Sequence, residues 1–597
     1  MPESDQDRER RTMRAGAARI PGGVEAAADV AATLLLAVLV AALSLNVAAR
    51  VFDLPVVGAA LVAGWAFGAL AFATLPTLLA SDESGPRAGL AALIAGFAAA
   101  TLAAGLADAA GRVGGVEPVL AIPRAWRYVV GAGFAVLALV AALRRPSAVA
   151  GIAVGVAISL VPIPPQGPLA GVAVFAVALW ARVPVALALV AGVAVAPGHL
   201  SEAALAQNLM RGLSPYVLLA IPLFILSAAL MLAGGIGERL VAAAGWFARR
   251  RRSALGEANV FASALFGGVS GSSIADAALG ARLLVPAMVA AGYPAARAAA
   301  ITAASAVLPN ILPPSIALLL AAASTDQSVG ALWVAGLGAG VVLAATLWFA
   351  VRITPVGAPS SLIPSPARAD GSAPSPAAGA TPVSGSPQPS GQPATPHVLW
   401  GLLPPLAIAV AVLGGLRLGL VTSVEAGLLA VAMSALFAVR AGAGPLLAAL
   451  RDAARQSGRV ALLIGAAAPV GFIFATSGLD AATFLPDGPV WVALVAATGI
   501  ALLIGTVLDV GAAILLLMPV LVPAVGGDMI HATVVLTVAL LLGGLTPPVG
   551  ILVLVVKDVT QMKGVYLAVL PYLIALIAGL GVLIALPALT SGLAGLV

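Results

Sequence analysis

The sequence predicts an all-α polytopic membrane protein built from two inverted halves behind a four-helix block, and three observations carry that expectation. Of 597 residues, 61% are hydrophobic and only 9% are charged, more apolar surface than a soluble core of this size can hide. The hydrophobicity arrives in runs of roughly 18 to 25 residues between short charged or Pro/Gly breaks, the length of helix that crosses about 30 Å of hydrocarbon. Motifs of the first half also return in the second: LVPA at 284–287 recurs at 521–524, and the Pro-Pro pair at 313–314 recurs at 547–548, so the two offsets differ by only three residues. The Ala/Leu/Val blocks do not alternate apolar with polar, which excludes a transmembrane barrel.

Taken in order, Arg8, Arg10, Arg11, Arg14 and Arg19 precede an apolar run from about Val30 to Ala49. That run is too long for a signal-peptide core and is expected to remain as the first span, with the N-terminus cytoplasmic. Residues 1–147 read as four spans, near 27–49, 55–80, 88–110 and 128–143, ending at Arg144 and Arg145. Arg112, Arg124 and Arg127 fall in a loop that this topology puts outside, against the usual bias. Residues 148–167 are expected to form a helix fusing this block to the main body.

Residues 168–354 form the first half. Two spans meet near Arg182, the polar stretch HLSEAALAQNLMRG lies outside, and a span through LLAIPLFILSAALMLAGG leads to the cytoplasmic run Arg249 to Arg252. An interrupted pair of short segments over 256–291, a helix broken at Pro313 and Pro314, and a final span follow. Residues 355–397 are rich in Pro, Ser, Ala and Gly, with too little apolar content to fold, and are expected to be a disordered cytoplasmic linker. Residues 398–597 repeat the series, with an interrupted pair over 488–525 that opens to the opposite side.

Several functions are excluded at this stage. The net charge of +6 comes from residues at span ends rather than from a nucleic-acid-binding face. There is no Cys, and His199, His397 and His531 are scattered, so thiol chemistry and a di-histidine metal site are ruled out. No acid/base cluster suited to a membrane-embedded enzyme and no GxxxxGK[ST] phosphate loop occurs. A passive scaffold or channel is the alternative in a different class, and only the paired interruptions speak against it.

Those interruptions carry the chemistry. Non-helical backbone at membrane depth leaves N–H and C=O groups that protein, water or a bound ion must satisfy. GGVSGSS (267–273) supplies permissive glycines and hydroxyl oxygens, while VLPNILPPS (307–315) and GGLTPPVG (543–550) remove backbone donors and free carbonyls in mid-span. Such uncharged oxygen ligands suit Na⁺ better than a divalent ion. A single Gly or Pro in a span usually means close packing or a kink. Matched sets in inverted halves point instead to a transport site near the midplane. Asp276, Glu425 and Asp509 are acids in apolar surroundings, where functional use is the first hypothesis. Glu425 closes a TSVE sequence of capping-box form, which favours a structural role for it. Arg282 on the returning arm of the first hairpin reads as a residue snorkelling to the cytoplasm.

With these residues in view, the chain resembles the large membrane subunit of TRAP transporters, the tripartite ATP-independent periplasmic family. The resemblance runs through LLAIPLFILSAALMLAGGIGERL (218–240), SGSSIADAALG (270–280), AAGYPAARAAAITAAS (290–305), NILPPSI (310–316), GLVTSVEAG (419–427) and GGLTPPVG, and covers about 168–595 outside the linker. The first block is similar to the family's small membrane subunit, here fused, through NVAARVFDLPV (46–56). The resemblance implies an elevator-type secondary transporter of the inner membrane, with two re-entrant hairpins sliding against a scaffold that includes the small-subunit helices. It further implies Na⁺ coupling and a periplasmic substrate-binding protein that delivers a small organic anion; a stand-alone symporter is the alternative. By the same resemblance one Na⁺ site uses Ser270, Gly271, Ser272 and Ser273 at the first hairpin tip with Asn310, Pro313 and Ser315, and the other uses Gly505, Gly543, Thr546 and Val549. The solute is expected near Ser270, Gly271, Ser272, Ser273, Asp276, Asp509 and Thr546.

Overall fold

The computed structural model describes residues 5–52, 58–80, 88–114, 122–142, 167–196, 201–236, 254–270, 272–354, 403–476 and 488–594, with isolated positions between them. The linker, most of the fusion segment, Arg144, Arg145, Arg249 to Arg252 and Gly271 lie outside the described residues, as do the side chains of Ser270 and of the N-terminal arginines. Among the described residues, nine helices are long and apolar enough to cross a bilayer, and others of 10–17 residues are apolar but shorter. The only strand pairing described is a two-residue ladder, Val116–Glu117 against Ile122–Pro123.

The expected spans of the first block appear as helices Asp5–Val51, Ala59–Ala73 with Leu75–Ala80, Ala88–Arg112 and Trp126–Ala142. The arginines that strain its topology find local partners. Arg112 Nε lies 2.8 Å from Asp108, Arg124 Nε lies 3.7 Å from Glu117 beside the small ladder, and Arg127 stacks over Tyr128.

The block packs on the long helix Ala443–Thr476, called the arm helix below, and on Val185–Val195 and Glu202–Gly212. Arg455 of the arm helix grips both carboxylate oxygens of Asp29, and Arg50 lies 2.7 Å from Glu425. Glu425 also completes the capping box read from TSVE, its carboxylate accepting from the Thr422 amide at 2.7 Å. At Gly458 the arm helix approaches Thr74 and the Leu70 carbonyl too closely for any side chain. Helix Ala220–Ala233 and helix Ser423–Ala438 join this scaffold, bonded through their buried hydroxyls, Ser227 to Ser434 at 2.8 Å.

Each half of the main body then runs through the same series. In the first, arms Ala254–Ser270 and Ser273–Ala290 make a hairpin, helix Ala295–Ser305 breaks and resumes as Ile316–Thr325, and Val329–Ile353 closes the set. In the second, the counterparts are Val490–Gly505 with Val510–Val525, Met529–Gly543 with Ile551–Thr560, and Val565–Ala585. The packing crosses between halves: Ile316–Thr325 lies on the returning arm of the second hairpin, and Ile551–Thr560 lies on the returning arm of the first. The exchange of partners is reciprocal, as matched elements in inverted repeats would make it.

Candidate functional site

The first hairpin turns through Ser272, whose hydroxyl caps helix Ser273–Ala290 by accepting from the Ala275 amide. Its arms are tied by Ser263, which donates to the buried Asp276 carboxylate at 2.7 Å, and the outgoing arm rests on the broken helix, where Asn259 donates to Thr302 at 2.7 Å. A Cβ at Gly267 would come 3.0 Å from Pro309, so a bare backbone is what lets the hairpin lie on the break.

That break follows from sequence. Pro309, Pro313 and Pro314 remove three amide donors, so helix Ala295–Ser305 gives way to a 3₁₀ turn at Leu308–Asn310. Ser315 restarts the helix, accepting from the Leu318 amide at 3.0 Å while its own hydroxyl donates to the Asn310 carbonyl. Trp333, fully buried and edge-on to Phe224, donates to the Ser315 carbonyl at 3.3 Å and holds the junction.

The second break is built differently. The Thr546 amide donates to the Gly543 carbonyl at 2.8 Å, and its hydroxyl donates to Leu542 at 2.9 Å. Gly550 takes φ +55° to turn the chain into Ile551–Thr560, and Tyr566 donates to the Val549 carbonyl at 2.7 Å. The second hairpin restarts at Asp509, whose carboxylate accepts from the Gly511 amide at 3.1 Å.

All four pieces meet at one cavity of about 200 Å³. Helices Ser273–Ala290, Ile316–Thr325, Val510–Val525 and Ile551–Thr560 each present their first two residues to its wall. Four half-helix N-termini, with their partial positive charge, therefore converge on one space. Three are capped by Ser272, Ser315 and Asp509, while the fourth, entered through Gly550, has no side-chain cap. Among the described lining residues there is no Lys, Arg or His, and Asp509 is the one charged side chain.

The residues expected at the site separate into two groups. Ser272, Ser273, Asn310 and Asp509 line the cavity; Ser273 is 2% exposed, and its hydroxyl has no hydrogen-bond partner. Pro313, Ser315, Gly505, Gly543, Thr546 and Val549 belong to the same breaks and the second tip but are not among the lining residues, nor is Asp276, which accepts from Ser263. Gly271 and the Ser270 side chain are outside the described residues. One polar lining residue is absent from the candidates read in the sequence: Gln456, from the arm helix. Its sequence signal was faint, an uncharged polar residue in RDAARQSGRV before the apolar part of that helix.

A helical membrane protein whose paired hairpins and paired broken helices enclose one cavity is a permease of the secondary-transporter class. The chain belongs to the family described as tripartite ATP-independent periplasmic transporter, DctM component, which it matches over residues 172–589. It is 30% identical over 408 residues to the 2,3-diketo-L-gulonate TRAP transporter large permease protein YiaN of Escherichia coli, covering 64% of this chain and 88% of that one. It is 30% identical over 407 residues to the C4-dicarboxylate TRAP transporter large permease protein DctM of Pseudomonas aeruginosa, covering 66% and 90%. To the sialic acid TRAP transporter large permease protein SiaM of Vibrio cholerae it is 29% identical over 393 residues, covering 62% and 85%. The matched region is thus a large permease component, a multi-pass inner-membrane transporter and not an enzyme.

Proposed function

We propose that this permease imports a small carboxylate-bearing solute, driven by an inward Na⁺ gradient and supplied by a periplasmic substrate-binding protein. The observation that carries the reading is the convergence of four half-helix N-termini on one cavity with no basic side chain among its described lining residues. An anion there is held by backbone N–H groups and helix dipoles, and the uncapped start of Ile551–Thr560 is the natural seat for a carboxylate. The names of the three relatives each denote an acid, which agrees in charge.

Na⁺ is the co-transported cation of this reading. Its ligands are oxygens alone: the Ser272 hydroxyl with the Asn310 and Ser315 region for one ion, and the Gly505, Gly543, Thr546 and Val549 region for the other. The uncharged donor set suits a monovalent ion. The hairpins and broken helices move together against the scaffold, and the N-terminal block acts as a fused small subunit that widens it. The tight seam at Gly458 and the Asp29–Arg455 pair support that role.

Uptake into proteoliposomes tests the reading, with C4-dicarboxylates, sugar acids and sialic acid as labelled probes and candidate binding proteins added one at a time. Uptake is expected only with both a matching binding protein and an inward Na⁺ gradient. Equal uptake with choline replacing Na⁺ would remove the coupling, and robust Na⁺-driven uptake of free solute would leave a conventional symporter.

A further inference from the structure

Beside the central cavity lies a second of about 350 Å³, walled by residues 225–233 of one scaffold helix, by residues 445–456 of the arm helix and by Ser272 and Ala275 of the first hairpin. Two residues line both cavities, Ser272 and Gln456. Each comes from a different side of the boundary between the re-entrant elements and the scaffold. The end of the arm helix on the second cavity carries Arg451, Arg455 and Arg459, and Arg440 lies just before it, all exposed, which marks this end as cytoplasmic. The remaining wall of the second cavity is almost wholly apolar, with Asp452 as its charged residue.

We propose that Ser272 and Gln456 form the passage by which solute leaves the central cavity for the cytoplasm, and that the Gln456 amide is the scaffold's polar contact with solute in transit. A neutral amide both donates and accepts hydrogen bonds, so it replaces hydration lost by a carboxylate without binding it as firmly as a guanidinium would. Passage through a partly apolar neck requires such a weak polar contact, because a solute held tightly there is not released. The inference extends the transport reading but does not depend on which solute is carried.

The experiment uses the absence of native Cys. Asn310 lines the central cavity and not the second, so a full-length Asn310→Cys protein reports access to the centre. In inverted membrane vesicles a membrane-impermeant methanethiosulfonate reagent is expected to label it from the cytoplasmic face. Gln456→Trp, which fills the neck, should slow that labelling about tenfold, equivalent to about 1.4 kcal/mol of barrier, and Gln456→Ala should speed it. Labelling of Arg440→Cys, which lines neither cavity, should be the same in every background and reports a folded, accessible protein. Unchanged Asn310→Cys labelling in the Gln456→Trp background, or labelling only from the periplasmic face, would overturn the proposal. The carboxylate reading could still stand, since no solute enters the measurement.

Discussion

Gly543 lies against Gly505 so closely that a Cβ added to Gly543 would fall 2.6 Å from the carbonyl carbon of Gly505 and 2.6 Å from the Leu502 carbonyl oxygen. The second hairpin and the second broken helix therefore touch backbone to backbone. Gly505→Ala and Gly543→Ala should each lower stability by about 1–3 kcal/mol through overpacking. Gly499→Ala, on the same arm with nothing within 4 Å, should be near neutral. Thermal unfolding of the purified variants in detergent reads the difference, and equal melting temperatures for all three would show that the seam yields freely.

Asp29 and Arg455 join the N-terminal block to the arm helix across 426 positions of sequence. Asp29→Arg or Arg455→Asp alone should weaken association of the block when residues 1–147 and 168–597 are co-expressed as separate chains. The double exchange should recover part of it. Affinity capture of one piece by a tag on the other measures this, and capture that ignores all three changes would assign the interface to apolar packing alone.

Thr546→Val removes a hydroxyl while nearly keeping the shape of the side chain, and costs the hydrogen bond to Leu542, about 1 kcal/mol. The Na⁺ concentration for half-maximal uptake should rise, with expression little changed. An unaltered Na⁺ dependence would mean that the Thr546 oxygen is not a ligand.

Shortening 355–397 severalfold changes loop-closure entropy by only about 1 kcal/mol. A shortened protein whose linker still spans its ends should transport at the wild-type rate in the same proteoliposome assay. Loss of uptake in a well-expressed variant would give the segment a function of its own.

Much of this architecture was legible in the chain because its signals are local. The Pro-Pro pairs, GGVSGSS and the run lengths each fix a break or a span without reference to distant residues. TSVE announced its capping box, and Arg182, the expected junction of two short spans, sits at φ +65° in the turn between Trp180 and Val185. The cavity was harder to read, because its wall is drawn from five segments that only packing brings together. Asp276 stands out in sequence by its charge in apolar surroundings, while its bond to Ser263, thirteen positions earlier, is visible only in the folded hairpin. Gln456 carries no charge and no motif, and its place at the junction of two cavities depends on the tilt of a helix that sequence does not specify.

The exchange of partners between halves also sets an order of assembly. Helix Ile316–Thr325 packs on Val329–Ile353 of its own half but also on Val510–Val525 of the other, and the first hairpin's returning arm packs on Ala295–Ser305 and equally on Ile551–Thr560. During synthesis the first half must therefore wait in the bilayer, with one face of a short helix and one face of a hairpin arm uncovered, until the last hundred or so residues have been inserted. Throughout that interval those faces are open to lipid, to water or to an insertion factor. Truncations that remove only the C-terminal helices should on that account be cleared by quality-control proteases as whole chains, rather than persist as a folded first half.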